Sequence, residues 1–356
     1  TSGLAVVPQP RHYGKAAPGC YFGMQGIGDM EAAERLGAKA IRHFFFWIYS
    51  EGRQGLIHWE EQSDPLMAAA REHHMEVLFS VQAQAPGWIA WNDPERPKLK
   101  ALPDPTRLPE WERYVRDITT RYRGQITALE IVNEPDLVCV GHVGMTVEEG
   151  ADYYAKLLRL GRAGAKAGDP DVPIAGLDVS GGDYERGLQY SRAVLSRAAD
   201  TMDLFPGHPY ASPRYFGPGQ SPKWPIANRM AEKLTEALDL YAFYGRPRRS
   251  WIGELGWGLQ ATADPLSTYS LDFAACIAQS LVVGKTVPGV ERYLHFTQRG
   301  CNESGYEYGL MRGHPAYPLP AAVAYATAAY LLDDTQSLGL KQVGADLWSA
   351  VFTCKS

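Results

Sequence analysis

What most limits the fold is an alternation repeated eight times along the 356 residues: a short apolar run, then a longer stretch with helical spacing. The apolar runs lie near residues 20–25, 39–46, 75–81, 127–133, 172–178, 201–206, 250–254 and 290–296. Most are apolar on both faces, as parallel strands covered by helices must be. Helix starts follow them: Asp64-Pro65 with the acid as cap, Pro109, Thr146 with Glu149 as a capping box, then Pro225, Pro265 and Pro320. Eight such units with short returns predict an α/β fold, a closed (β/α)8 TIM barrel, over residues 1–335. An open doubly wound sheet would carry a Gly-rich phosphate turn after its first strand, and none is there. Residues 336–356 change character. Leu347–Phe352 reads as a strand with no obvious sequential partner, so 336–356 are expected to begin a small β appendage. It would either continue past Ser356 or be completed by residues 1–12.

Composition narrows the partners. Thirty-five basic against forty acidic residues give a net charge of −5, so nothing offsets phosphate repulsion and nucleic acid is excluded as a partner. No run approaches the roughly 20 apolar residues of a membrane span. Five cysteines, an odd number with no CxxC spacing, argue against a disulfide framework and a zinc knuckle; one bridge, for instance through Cys301, stays open. Asn302-Glu303-Ser304 is a glycosylation sequon of little weight. The chain starts at Thr1 rather than Met, so an N-terminal segment is expected to have been removed or left out and no signal-peptide pattern remains to be read; a secreted or periplasmic location is the expectation. The oligomeric state stays open.

The βα connections are longer than the αβ ones and rich in aromatics: Trp88 and Trp91 after strand three, Tyr210, Tyr215, Phe216 and Trp224 after strand six, Tyr306 and Tyr308 after strand eight. Barrel enzymes build their sites at that end, so a cleft is expected there. Two motifs fall on its rim. Leu129–Pro135 (LEIVNEP) ends strand four, with Pro135 stopping the ladder so that Glu134 stands at the mouth. Ser250–Trp257 (SWIGELGW) ends strand seven on Glu254 between glycines. Strands four and seven face each other across a barrel. Two such carboxylates suit glycosidic bond cleavage, where one is protonated to assist the leaving oxygen and the other ionised to attack the anomeric carbon. Asn-Glu-Pro alone also occurs in solvated turns; it is the pairing with Glu254 that favours chemistry.

These residues resemble the clan A glycoside hydrolases, whose barrels carry an Asn-Glu acid/base at strand four and a Glu nucleophile at strand seven. The resemblance implies retaining cleavage of a β-type O-glycosidic bond in an oligo- or polysaccharide, with Glu134 as general acid/base and Glu254 as nucleophile. It assigns Asn133 to the sugar 2-hydroxyl, Arg42 (in Ala40-Ile41-Arg42-His43) to the nucleophile's side, and Tyr210 of His208-Pro209-Tyr210 to a hydrogen bond on the nucleophile. The clan often ends strand eight on Trp; here the segment is Leu294-His295-Phe296-Thr297-Gln298. The run Trp111–Pro135 looks most like family 39, which includes β-xylosidases, iduronidases and bacterial endo-acting exopolysaccharide hydrolases. No cofactor and no metal are implied, and the partner is a carbohydrate.

Further residues are candidates for substrate contact. Trp47, Trp88, Trp91 and Trp257 fall on βα loops, where sugar stacking and ordinary packing compete evenly. His208 and His295 lack a third ligand at metal spacing, so they read as hydrogen-bonding groups for sugar hydroxyls or for neighbouring carboxylates, and Gln298 is a further candidate for substrate contact. Glu130 shares a strand face with Glu134 and reads as a buried structural acid paired with Arg42. Glu51, Glu60 and Glu61 read as solvated. Gly284-Lys285-Thr286 lacks the earlier Gly of a phosphate loop, and Val179-Ser180-Gly181 lacks the first Gly of a nucleophile elbow. Two other functions remain: a glycan-binding barrel without catalysis, and a transglycosylase using the same two carboxylates.

Overall fold

The computed structural model describes residues 6–181 and 184–354. Eight parallel strands form its centre: β1 (Phe22–Gln25), β2 (Ala40–Phe46), β3 (Glu76–Gln82), β4 (Ala128–Ile131), β5 (Ile174–Ala175), β6 (Phe205–Gly207), β7 (Ser250–Leu255) and β8 (Val290–Phe296). They are joined in the order β5-β4-β3-β2-β1-β8-β7-β6. A parallel bridge between Ala175 and Leu204, with the Leu204 N–H donating to the Ile174 carbonyl at 3.2 Å, closes the ring between β5 and β6. The helices α1 (Met30–Arg35), α2 (Asp64–Glu72), α3 (Pro109–Arg121), α4 (Val147–Gly168), α5 (Tyr184–Ala198), α6 (Met230–Phe243), α7 (Thr268–Thr286) and α8 (Pro320–Leu332) follow the strands in turn. This is the (β/α)8 barrel that the alternation predicts.

The interior is filled, not hollow. Ala40, Leu78, Ala128, Ala175, Leu204, Trp251 and Leu294 form a separate apolar cluster, to which the period-2 alternation of the strands contributes one face. Gly23 is required beside it: a Cβ there would stand 2.4 Å from Leu294 Cδ2 and 2.7 Å from the Ala40 carbonyl oxygen. The next inward positions on β2, β3 and β4 are Arg42, Ser80 and Glu130, all buried. A polar layer therefore rests on an apolar plug, directly under the rim. The outward positions, such as Ile41, Phe79 and Ile131, pack with Trp111, Tyr114 and Leu157, while Phe22, Ile252 and Tyr293 pack with Phe273, Ile277 and Tyr325.

The helix starts show how literally the signals can be read. Pro109 and Pro320 open α3 and α8, and the Thr146–Glu149 capping box is formed in both directions. Asp64 is not the cap of α2 but its first residue, and its carboxylate instead takes Tyr122 Oη at 2.7 Å and Arg121 Nε at 2.9 Å. Pro225 and Pro265 stand a turn ahead of their helices, and α7 is capped by Ser267.

Short strands at 215–216, 258–260, 302–303 and 306–307 join the loops after β6, β7 and β8 into one small sheet on the rim. The C-terminal strand β10 (Trp348–Cys354) does have a sequential partner: it pairs antiparallel with β9 (Thr335–Gln342), and residues 6–12 form no strand; residues 1–5 of the expected alternative partner lie outside the described residues. Partnership was hidden because β9 (TQSLGLKQ) is mostly polar and its register shifts between Ser337 and Leu340, next to Gly339 at φ +112°. The five cysteines are unpaired.

Candidate active site

β4 ends at Ile131, and the chain then turns through two positive-φ residues, Val132 (+63°) and Glu134 (+44°). Non-glycine residues hold such angles only where neighbours over-determine them. Here the Asn133 N–H donates to Gln82 Oε1 and the Glu134 N–H to Asp178 Oδ2, each at 3.1 Å. Across the mouth, β7 carries Glu254, and the backbone beyond it runs so close to β8 that a Cβ on Gly256 would lie 2.1 Å from the Phe296 carbonyl oxygen. A carboxylate oxygen of Glu134, one of Glu254 and a ring nitrogen of His208 lie within 4.8 Å of one another.

The two acids have different surroundings. Glu254 accepts from Arg42 Nη1 at 2.6 Å, from Tyr210 Oη at 2.9 Å and from Gln25 Nε2 at 3.1 Å, a donor set that suits a carboxylate anion. Glu134 meets His208 Nδ1 at 3.1 Å through Oε1. Burial pushes its pKa up to about 7, against the pull of the Arg42 and Arg214 charges. Burial also lowers His208 to about 4, so its ring is neutral at ordinary pH.

Arg42 is the hub beneath them. Its side chain is fully buried, and beyond Glu254 it reaches Glu130 Oε2 at 2.9 Å, Asn133 Oδ1 at 2.6 Å, Gln25 Oε1 at 3.1 Å and Asp178 Oδ2 at 3.3 Å. Burial alone would lower its pKa; Glu130 and Glu254 raise it above the ordinary value. Glu130 is thus a buried partner of Arg42. The structure brings together Glu134, Glu254, Arg42, Asn133, His208 and Tyr210.

Six other candidates lie elsewhere. Trp47 is fully buried, its ring stacked on Tyr114 at 4.9 Å and its Nε1 donating to Glu51 at 2.7 Å. Trp88 Nε1 donates to the Glu51 carbonyl at 2.8 Å, and Trp91 stacks on Tyr153 at 5.8 Å. Trp257 is fully buried and donates to the Lys223 carbonyl at 3.0 Å. The two buried rings, Trp47 and Trp257, leave no face for a sugar; Trp88 and Trp91 are half-buried and each makes a loop contact. Glu51, expected to be solvated, is buried, anchors Trp47 and Trp88, and also holds Arg113 at 2.5 Å. His295 lies on the outward face of β8, fully buried with its ring 6.2 Å from Tyr325 of α8, and burial lowers its pKa to about 3. Gln298 accepts from the N–H groups of Gly28 (2.7 Å) and Asp29 (3.0 Å), tying the loop after β8 to the loop after β1.

Of the residues lining the cleft, Arg214 was not foreseen. The cleft around Glu134 and Glu254 is bounded by Tyr210, Arg214, Phe296 and Tyr308. Arg214 Nε donates to Tyr308 Oη at 2.7 Å with its guanidinium 4.9 Å over the Tyr210 ring. Phe296 occupies the end of β8 where Trp was sought, edge-on to Tyr308 at 5.1 Å. Asp178 and Gln25 were legible by one rule: each is a polar residue at the end of an apolar barrel strand. Two groups have metal-like spacing among the described residues, Glu134–His208–Glu254 and, away from the cleft, His12–Asp333–Asp334. In the first, the Arg42 guanidinium already stands against Glu254 as its cation.

No family model and no curated protein matches the chain. Solved structures do. A family 39 glycoside hydrolase from Bacteroides cellulosilyticus aligns with a TM-score of 0.67 at 17% identity, over 91% of this chain and 66% of that one. GH5_18 from Streptomyces cattleya, solved with GlcNAc, gives 0.62 at 16% identity over 91% and 80%. Xylanase 10B from Thermotoga petrophila, solved with xylobiose, gives 0.60 at 16% identity over 87% and 94%. The chain spans just under two thirds of the first of these. Its structural neighbours are glycoside hydrolases of clan A, and with them it shares the (β/α)8 barrel.

Proposed function

We propose that the protein is a retaining glycoside hydrolase acting on a β-type O-glycosidic bond, with a carbohydrate as its partner. The observation that carries this is the pair Glu134 and Glu254, with carboxylate oxygens within 4.8 Å across the barrel mouth. Separations of about 5 to 5.5 Å go with a covalent glycosyl-enzyme, whereas inversion needs about 6.5 to 9.5 Å to admit water between the two groups. Glu254, held by Arg42, Tyr210 and Gln25, attacks the anomeric carbon as the glycosidic C–O bond breaks. Glu134, still protonated near neutral pH, gives its proton to the leaving oxygen. In the second step Glu134 takes a proton from water, and that water's oxygen displaces Glu254. On this reading Asn133, whose Oδ1 is held by Arg42, takes the sugar 2-hydroxyl.

The test is a mechanism-based 2-fluoro-glycoside panel followed by peptide mass mapping. A covalent adduct on Glu254 is expected. Turnover of an aryl glycoside with inversion at the anomeric carbon, or an adduct on any other residue, would overturn the mechanism. Secretion or periplasmic location remains part of the proposal, tested by fractionating the source cells.

A further inference from the structure

We propose that Asp178 is a positioning residue for the acid/base: through His208 it sets which ring nitrogen carries the proton facing Glu134. The inference rests on the reading of Glu134 as proton donor.

Asp178 lies just past β5 and is fully buried. Its Oδ2 accepts the Glu134 N–H at 3.1 Å and Arg42 Nη2 at 3.3 Å, and stands 3.5 Å from His208 Nε2, the outer edge of hydrogen-bond reach. The other ring nitrogen, Nδ1, is 3.1 Å from Glu134 Oε1. The imidazole is therefore hydrogen-bonded to Glu134 through Nδ1, while Nε2 meets no hydrogen-bond partner among the described residues and has Asp178 Oδ2 3.5 Å away; when neutral the ring has one N–H to give. If Asp178 is ionised, the proton belongs on Nε2, and Nδ1 turns a lone pair to Glu134. If Asp178 is protonated, Nε2 is the acceptor and Nδ1–H points at Glu134 Oε1.

The surroundings choose the second arrangement. Facing Asp178 and His208 are Arg42 from β2, Glu130 from β4, Glu134 and Asp136 just beyond it, Glu254 from β7, Tyr154 from α4 and Tyr241 from α6. Arg42 is the cation shared by Glu130, Asp178 and Glu254. It is bound most fully to Glu130, in bidentate fashion, which keeps that acid low despite burial. Burial, then the Glu130 charge, pushes Asp178 well above the usual carboxylate range. Its Oδ1 meets no donor among the described residues, as a neutral carboxyl tolerates better than an anion.

The consequence is directional. With Nδ1–H bonded to Oε1, the proton of Glu134 sits on Oε2 and leaves from there to the departing oxygen. The charge that remains spreads onto Oε1, where a donor is already waiting. Water later returns a proton to Oε2, and neither His208 nor Asp178 changes protonation state. The 3.5 Å gap belongs to the free enzyme; such bonds commonly shorten in the substrate complex.

The test is the tautomer of His208, read by long-range 1H–15N spectra of protein labelled with 15N-histidine, the signal being assigned by its loss in His208→Gln. In the wild type near neutral pH, Nδ1 should be protonated and Nε2 bare. Asp178→Asn keeps an acceptor oxygen for the Glu134 N–H and Arg42, but that oxygen cannot donate. The ring should then switch to Nε2–H, and the basic limb of kcat/KM on aryl β-glycosides should move up by about one pH unit or more. A wild-type ring protonated at Nε2 overturns the proposal, and that measurement needs no variant to fold. So does a ring that keeps Nδ1–H in folded Asp178→Asn protein. A tautomer switch without glycosidase activity would instead sink the functional reading and leave the positioning one standing.

Discussion

Arg42 and Glu254 meet at 2.6 Å, and the same guanidinium holds Glu130 on its other edge, so one buried cation ties the nucleophile to the polar layer beneath the rim. Removing it leaves several carboxyl groups uncompensated in the barrel interior. Breaking a buried pair from one side costs about 3–5 kcal/mol. Arg42→Met should therefore lower unfolding free energy by that order in chemical denaturation, in addition to abolishing turnover. A variant of unchanged stability would show that the network is solvated and not a structural hub.

Glu134→Gln separates the acid role from the base role. Proton donation contributes about 10²–10⁴-fold, and mainly when the leaving group is poor. Alkyl glycosides or natural oligosaccharides should slow by that factor in kcat/KM, while activated aryl glycosides should lose little in the first step. Equal losses on both substrate types would remove Glu134 from the acid role.

The barrel was legible because its signal is repeated: eight apolar runs and six helix starts each point the same way, so errors such as the displaced cap at Asp64 do not propagate. Glu134 and Glu254 were legible because strand ends are where this architecture gathers its chemistry, whereas Arg42, His208 and Tyr210 came from the resemblance to the clan A pattern. The tryptophans were not. Whether an aromatic on a βα loop faces the cleft or the helix layer depends on a partner such as Glu51, 4 residues from Trp47 in sequence yet 37 from Trp88, whose indole bonds its carbonyl. His295 stands one position from the inward Leu294, and in a period-2 element that puts it on the outward face, which the residue type alone does not reveal. Arg214 and Tyr308 meet across 94 residues, through a rim sheet whose strands are two or three residues long and carry no periodic signal.

Tyr210 donates to Glu254 from a buried position at the cleft wall, and burial raises its pKa well above the ordinary phenol value, so it is a donor throughout the working range. Tyr210→Phe keeps the ring and deletes the bond. A hydrogen bond to a charged group contributes about 1.5–3 kcal/mol, so the rate of glycosyl-enzyme turnover should change by about 10- to 10²-fold. Pre-steady-state kinetics on an aryl glycoside will show which of the two steps carries the change. Unaltered rates for both steps would mean that Arg42 and Gln25 alone orient the nucleophile.

The raised pKa of Glu134 has a cost in stability whose sign can be worked out. Its ordinary value is 4.5 and its folded value about 7, so between those two pH values the native state binds the proton that the unfolded chain has released. Native stability therefore falls as pH rises from about 4.5 to about 7, and above that range the cost is constant. Its side chain is 17% exposed, and the shift corresponds to about 2–3 kcal/mol. Glu134→Gln carries no proton to lose. It should match the wild type near pH 4 and exceed it above pH 7, raising the denaturation midpoint there while abolishing base catalysis. If the two stability curves run parallel across that range, burial does not hold the Glu134 proton, and the acid assignment loses its electrostatic basis.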